Sequence, residues 1–137
     1  TMTATFAFWP QAARESGAYM GTRFISLWML PKLLLEGEAF TKKHAWIPEY
    51  VANAYADDLN RKKPEIVFVD AVYNTFGLGK PIDLVAYFMG YSAFADAWKN
   101  YSLLTIIDRC SDPEIQKLRY YDIWCRHEVY VRHETDH

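Results

Sequence analysis

Apolar positions change their spacing along the chain, and those changes place the elements. Residues 66–69, Ile-Val-Phe-Val, are an uninterrupted run of strand formers, the pattern of a strand covered on both faces, as in a parallel sheet flanked by helices. Asp70 stands at its carboxyl tip. Upstream, Ile47, Val51, Tyr55 and Leu59 recur at helical spacing, with Tyr50 and Ala54 beside them, so a helix is expected from Pro48 onward. Pro48 suits a first helical turn and Glu49 complements the positive end of the dipole. Arg61, Lys62 and Lys63 suit the other end, and Pro64 stops the helix just before the strand.

The remaining elements are placed around this unit. Residues 4–9 read as a first strand closed by Pro10, residues 11–21 as a glycine-containing loop, and residues 23–30 as a strand or extended piece ended by Pro31. After Asp70, residues 71–80 read as a long loop with Asn74, Gly77 and Gly79, and Pro81 opens a second helix with a stripe of Leu84, Val85, Phe88 and Tyr91. Gly90 and Ser92 read as a break and a new N-cap, followed by a short helix that carries Phe94, Trp98 and Tyr101. Residues 103–107 are a strand by their β-branched content, 111–119 a turn or short helix, and 120–130 a last strand. This alternation predicts an α/β fold, a small three-layer Rossmann-like domain with a mostly parallel sheet, helices on both faces and a C-terminal antiparallel strand pair. The whole of residues 1–137 is expected to form that one domain, a length that buries roughly two thirds of its extended surface.

Composition narrows the function classes. Half the chain is hydrophobic (51%) and the formal charge is -2, which excludes disorder and argues against a nucleic-acid footprint. Aromatic residues make up 17%, a load that fills a core first and, in a second reading, forms a surface for a membrane interface or a sugar. The longest apolar stretch, residues 25–35, is broken by Pro31 and Lys32 and is too short to span a bilayer. No charged-then-apolar leader with a cleavage site is visible. The opening Thr1-Met2 is not a natural start, which suggests a fragment of a longer protein. Cys110 and Cys125 match no zinc or redox spacing and read as two separate buried thiols rather than a disulfide.

Several motifs approach chemistry without completing it. The tail from His133 to His137 spells H-E-x-x-H, but nothing downstream supplies a third zinc ligand and the preceding segment is strand-like, so no metal is expected. Gly77-Leu78-Gly79-Lys80 lacks the first glycine and the hydroxyl of a phosphate loop, since Asn74 and Pro81 stand at those positions. Gly90-Tyr91-Ser92-Ala93-Phe94 fails as a nucleophile elbow at Phe94. Asp70 is the strongest single candidate, because ligands of open α/β sheets collect beyond the carboxyl ends of strands; its structural alternative is to cap the following loop. Arg14 and Arg23 flank Tyr19 and are candidates to hold an anion, or else to anchor that loop on the sheet. Asn74 completes a candidate ligand site of Arg14, Tyr19, Arg23, Asp70 and Asn74, and no cofactor is expected.

Three segments in order carry a resemblance. The first holds Phe8-Trp9-Pro10, Gly17-Ala18-Tyr19, Gly21-Thr22-Arg23-Phe24 and Ser26-Leu27-Trp28-Met29-Leu30-Pro31; the second is residues 59–70; the third runs from Asp83-Leu84-Val85-Ala86-Tyr87-Phe88 through Phe94, Trp98 and Tyr101. Together they resemble the soluble region after the last transmembrane helix of bacterial polytopic membrane proteins similar to GT-C glycosyltransferases, the mannosyltransferase-like enzymes that use lipid-phosphate sugar donors. The resemblance implies a small α/β domain on the periplasmic side of a membrane body, whose partners are the transmembrane part of the same polypeptide and a lipid-linked sugar or acceptor. It transfers no catalytic residue, because the catalytic acid of such enzymes lies between early transmembrane helices. Two other readings stand beside it: a self-sufficient α/β enzyme or ligand-binding module with its site near Asp70, and an interaction domain whose exposed aromatics form a homodimer patch.

Overall fold

A computed structural model describes residues 29–71, 82–117 and 125–133. The expected first strand at 4–9, the loop at 11–21, the loop at 71–80 beyond Ala71, and four of the five tail residues lie outside them. The described chain opens on helices α1 (Met29–Leu35), α2 (Glu38–Lys43) and α3 (Trp46–Lys62), which lead into strand β1 (Ile66–Asp70). It continues through α4 (Leu84–Met89), α5 (Ser92–Trp98), β2 (Tyr101–Asp108), the single turn α6 (Pro113–Gln116) and β3 (Arg126–Arg132).

The sheet overturns the expected parallel, Rossmann-like architecture. Among the described residues it has three strands in the order β1-β3-β2, and both pairings are antiparallel. The alternation of strand and helix misleads for a definable reason. β1 and β2 run in the same direction and are joined by α4 and α5, as a crossover requires, but β3 fills the gap between them and opposes both. With β3 on one side of it, β1 is an edge strand among the described residues, and Ile66 is 49% exposed where full cover was expected. Only Val67, Val69 and Asp70 of this strand are buried.

Helix ends follow local chemistry, with three differences from expectation. α1 runs through Pro31, its third residue, where the missing N–H is one of the four that no carbonyl in the helix would accept. Residues 29 and 30 are therefore helical rather than extended. α3 begins two residues before Pro48 and ends on Lys63, which takes a left-handed conformation (φ 45°) and donates its N–H to the Leu59 carbonyl before Pro64 turns the chain into β1. Ser92 is the first residue of α5 and not its cap; the preceding Tyr91 holds that position without a side-chain bond. Asp83, in contrast, caps α4 by accepting from the Ala86 N–H at 2.8 Å.

The core joins these helices to one face of the sheet. α3 contributes Val51, Ala52, Tyr55, Ala56 and Leu59, α4 Leu84 and Phe88, α5 Phe94, Ala97 and Trp98, and the sheet Val67, Val69 and Tyr101. Tyr50, beside the expected stripe of α3, is exposed instead. Aromatic rings link these elements in sequence: Tyr55 meets Phe88 edge-on at 5.5 Å, Phe88 meets Phe94 at 5.6 Å, and Phe94 stacks on Trp98 at 5.3 Å. Trp98 then stacks on Tyr101 of β2 and meets Tyr130 of β3 edge-on at 4.8 Å. Tyr101 is the first residue of β2, not the end of the helix as its spacing suggested. Its hydroxyl donates to the Pro64 carbonyl at 3.0 Å, which ties the start of β2 to the chain entering β1.

Phe94 is fully buried at the centre of this chain of rings, so Phe94→Ala is expected to cost about 3 to 5 kcal/mol in denaturant unfolding. Phe68, half-buried on an edge strand, is expected to cost less on the same substitution; equal losses would restore a first strand covered on both faces.

Candidate functional site

The one candidate ligand residue within the described chain is Asp70, and the antiparallel register decides its surroundings. β1 and β3 pair Asp70 with His127 across the ladder. Their side chains meet, Nδ1 of His127 lying 3.0 Å from Oδ1 of Asp70. An ionised carboxylate only accepts hydrogen bonds, so beside ionised Asp70 the proton of a neutral His127 sits on Nδ1. The Ala71 N–H continues the ladder by donating to the Arg126 carbonyl at 3.2 Å. Asp70 is buried, at 2% exposure.

The α3 side of Asp70 is also charged. Asp58 is buried on α3 and pairs with Lys62 one turn later at 3.3 Å. Burial pushes the Tyr55 phenol far above its ordinary range, and the negative charges of Asp70 and then Asp58 push it the same way. Tyr55 therefore stays protonated. Tyr87 and Tyr130 are raised as well, chiefly by burial, Tyr130 also by donating to Glu128 at 2.8 Å.

The same end of the sheet carries a covalent closure. Cys110, just beyond β2, is disulfide-bonded to Cys125, just before β3, where two separate thiols were expected. The antiparallel register is what brings them together: Asp108 opposes Arg126, so the chain ends leaving the two strands meet, and the Arg109 N–H donates to the Cys125 carbonyl at 2.7 Å. Asp108 accepts from the Cys110 N–H, and Gln116 of α6 donates to the Cys110 carbonyl. Asp112 caps α6 and accepts from the Arg109 guanidinium, which holds its carboxyl below the usual range.

Comparison with known families, curated proteins and solved structures finds no match. The assignment of the site thus rests on its own geometry. Arg14, Tyr19, Arg23 and Asn74 lie outside the described residues, so of the five expected ligand residues only Asp70 is placed. His127 was not singled out from the sequence, because only the pairing of β1 with β3 makes it a neighbour of Asp70. Of the H-E-x-x-H tail only His133 is described, its N–H bonded to the Asn100 carbonyl; among the described residues no group of three His, Cys, Asp or Glu side chains is arranged to hold a metal. Asp70 and His127 join the tip of β1 to the start of β3.

Two outcomes check that role. Asp70→Asn is expected to lower stability by about 1 to 3 kcal/mol, with most of the loss shared with His127→Gln in a double-mutant cycle; additive losses would dissolve the pair. Because Tyr55, Tyr87, Tyr101 and Tyr130 are raised in the folded state, the unfolded chain gives up their protons first. Stability is therefore expected to fall as pH rises above about 10, with these rings ionising only on unfolding; ultraviolet titration of the phenols against a circular-dichroism melt reads both.

Proposed function

We propose that this chain is a non-catalytic, soluble C-terminal domain of a polytopic membrane protein similar to GT-C glycosyltransferases, facing the periplasm and contacting acceptor, lipid head group or partner. The observation that carries the proposal is the Cys110–Cys125 disulfide, since such bonds persist in oxidising compartments such as the periplasm and are rare in the reducing cytosol. The residues that carry the resemblance add support. Residues 59–70 form the end of α3 and all of β1, and those from Asp83 to Tyr101 form α4, α5 and the start of β2, so two of the three segments make up most of the core. A parallel sheet is no part of this proposal.

Aromatic content lends less to a sugar-binding or membrane-resting surface than composition suggested. Tyr55, Phe88, Phe94, Trp98 and Tyr101 are consumed in the core, and among the large exposed side chains only Trp46 and Tyr50 are aromatic within the described residues. The rival reading, a self-sufficient module with its site near Asp70, draws no support from a carboxylate that is buried against His127.

Cell fractionation with an antibody to this domain tests the proposal. A large membrane-bound species is expected, with its two cysteines resistant to alkylation until a reductant is added. A species near 16.0 kDa in the soluble fraction, or free thiols in the native protein, would sink it.

A further inference from the structure

We propose that β2 is a dimerisation edge, and that a second copy of this chain pairs with it strand to strand, antiparallel, to make one sheet of order β1-β3-β2-β2-β3-β1. The inference does not depend on attachment to a membrane body. β2 spans Tyr101–Asp108 and is bonded to β3 on one side; among the described residues no strand lies on its other side. An open edge of this length presents a row of backbone donors and acceptors that fits another extended strand. Monomeric proteins guard such edges with lysine, proline or an inward charge. Residues 101–107 contain no charged residue and no proline.

The side chains favour a partner of the same kind. Leu103, Leu104, Ile106 and Ile107 are all 40% to 60% exposed, and they lie on both faces of the strand. The ladder to β3 is irregular between Leu103 and Thr105, where Leu104 is the extra residue of a bulge. A bulge can blunt an edge, and here it changes the register in which a second copy would keep like faces together. Leu103 and Ile106 oppose Tyr130 and Glu128, which share one face, while Ser102 and Ile107 oppose Val131 and His127, which share the other. A two-fold axis through the bulge sets Leu103 against Ile106 of the partner subunit, and Ser102 against Ile107 of the partner subunit, each pair on a common face as antiparallel pairing requires. Without the extra residue those partners would fall on opposite faces.

Charge selects the same arrangement. Asp108 ends the strand, whereas Lys99 precedes its start and Arg132 opposes Tyr101 there. Antiparallel pairing carries Asp108 toward Lys99 of the partner subunit and Arg132 of the partner subunit; parallel pairing would set the two Asp108 carboxylates side by side. A strand from an unrelated protein has no built-in match to this pattern, whereas a second copy always does.

Sedimentation equilibrium of the 137-residue chain under non-reducing conditions tests the proposal. The expected mass is twice 16.0 kDa. Leu104→Lys and Ile106→Lys, both at exposed positions, are each expected to raise the dimer dissociation constant at least about 100-fold, because two-fold symmetry applies each change twice and sets each lysine against an uncharged side chain of the other copy. Leu35→Lys, exposed on α1, is expected to leave the dimer unchanged. Unaltered far-ultraviolet circular dichroism identifies the variants that remain folded, and the mass of the unsubstituted chain decides the matter if neither does. A chain that stays monomeric up to about 100 μM, or a dimer indifferent to both β2 lysines, overturns the proposal.

Discussion

The fold depends on a run of aromatic contacts that begins on α3 and ends on the sheet. Tyr55 sits on α3, Phe88 on α4, and Phe94 and Trp98 on α5, and Trp98 closes the series against both Tyr101 and Tyr130. α4 and α5 have only six and seven residues, too short to be stable alone, so their helicity depends on this packing. Each ring pair contributes roughly 0.5 to 1.5 kcal/mol beyond its buried area.

Position within the sheet follows from that anchoring. Trp98 holds β2 and β3 together on the core face, and β1 is added on the far side of β3. Among the described residues, β1 forms one edge, ending at Asp70 beside His127, and β2 the other, with aliphatic side chains exposed along it. The two ends of the β2–β3 pair differ as sharply. One is closed by Cys110–Cys125 and the capped turn of α6, and a loop of sequence separation 15 so closed is stabilised by about 3 kcal/mol in chain-entropy terms. The other is held by the Tyr101 hydroxyl on Pro64 and the His133 N–H on Asn100.

Legibility in the sequence tracked the range of the interaction involved. Helix α3 was read from the stripe of Val51, Tyr55 and Leu59 and from the Pro64 stop, because a period of 3.6 and a terminating proline are local. The apolar run of β1 and the β-branched content of β2 are local in the same way, and β3 (Arg126–Arg132) overlaps the expected last strand at 120–130 only from Arg126 on, residues 120–124 lying outside the described chain. The direction of β3 relative to β1 is not local. A βαβ pattern is equally consistent with adjacent parallel strands and with two strands parted by a third, and no residue within β1 or β2 carries the difference. Ile66–Val69 reads as doubly covered because all four residues are apolar, yet Ile66 faces outward on an edge.

The candidate site shows the same division. The sequence by itself determined that Asp70 would stand at a strand tip, that Cys110 and Cys125 would be the two cysteines near the end of the chain, and that an uncharged aliphatic strand would follow Trp98. Only the tertiary structure decided that His127 meets Asp70, that the cysteines pair, and that β2 is an edge strand among the described residues. All three depend on the antiparallel registers Asp70 to His127 and Asp108 to Arg126, which span residues far apart along the chain. Register is fixed by which face of each strand the aromatic core can bury, a condition that exists only once the helices have packed.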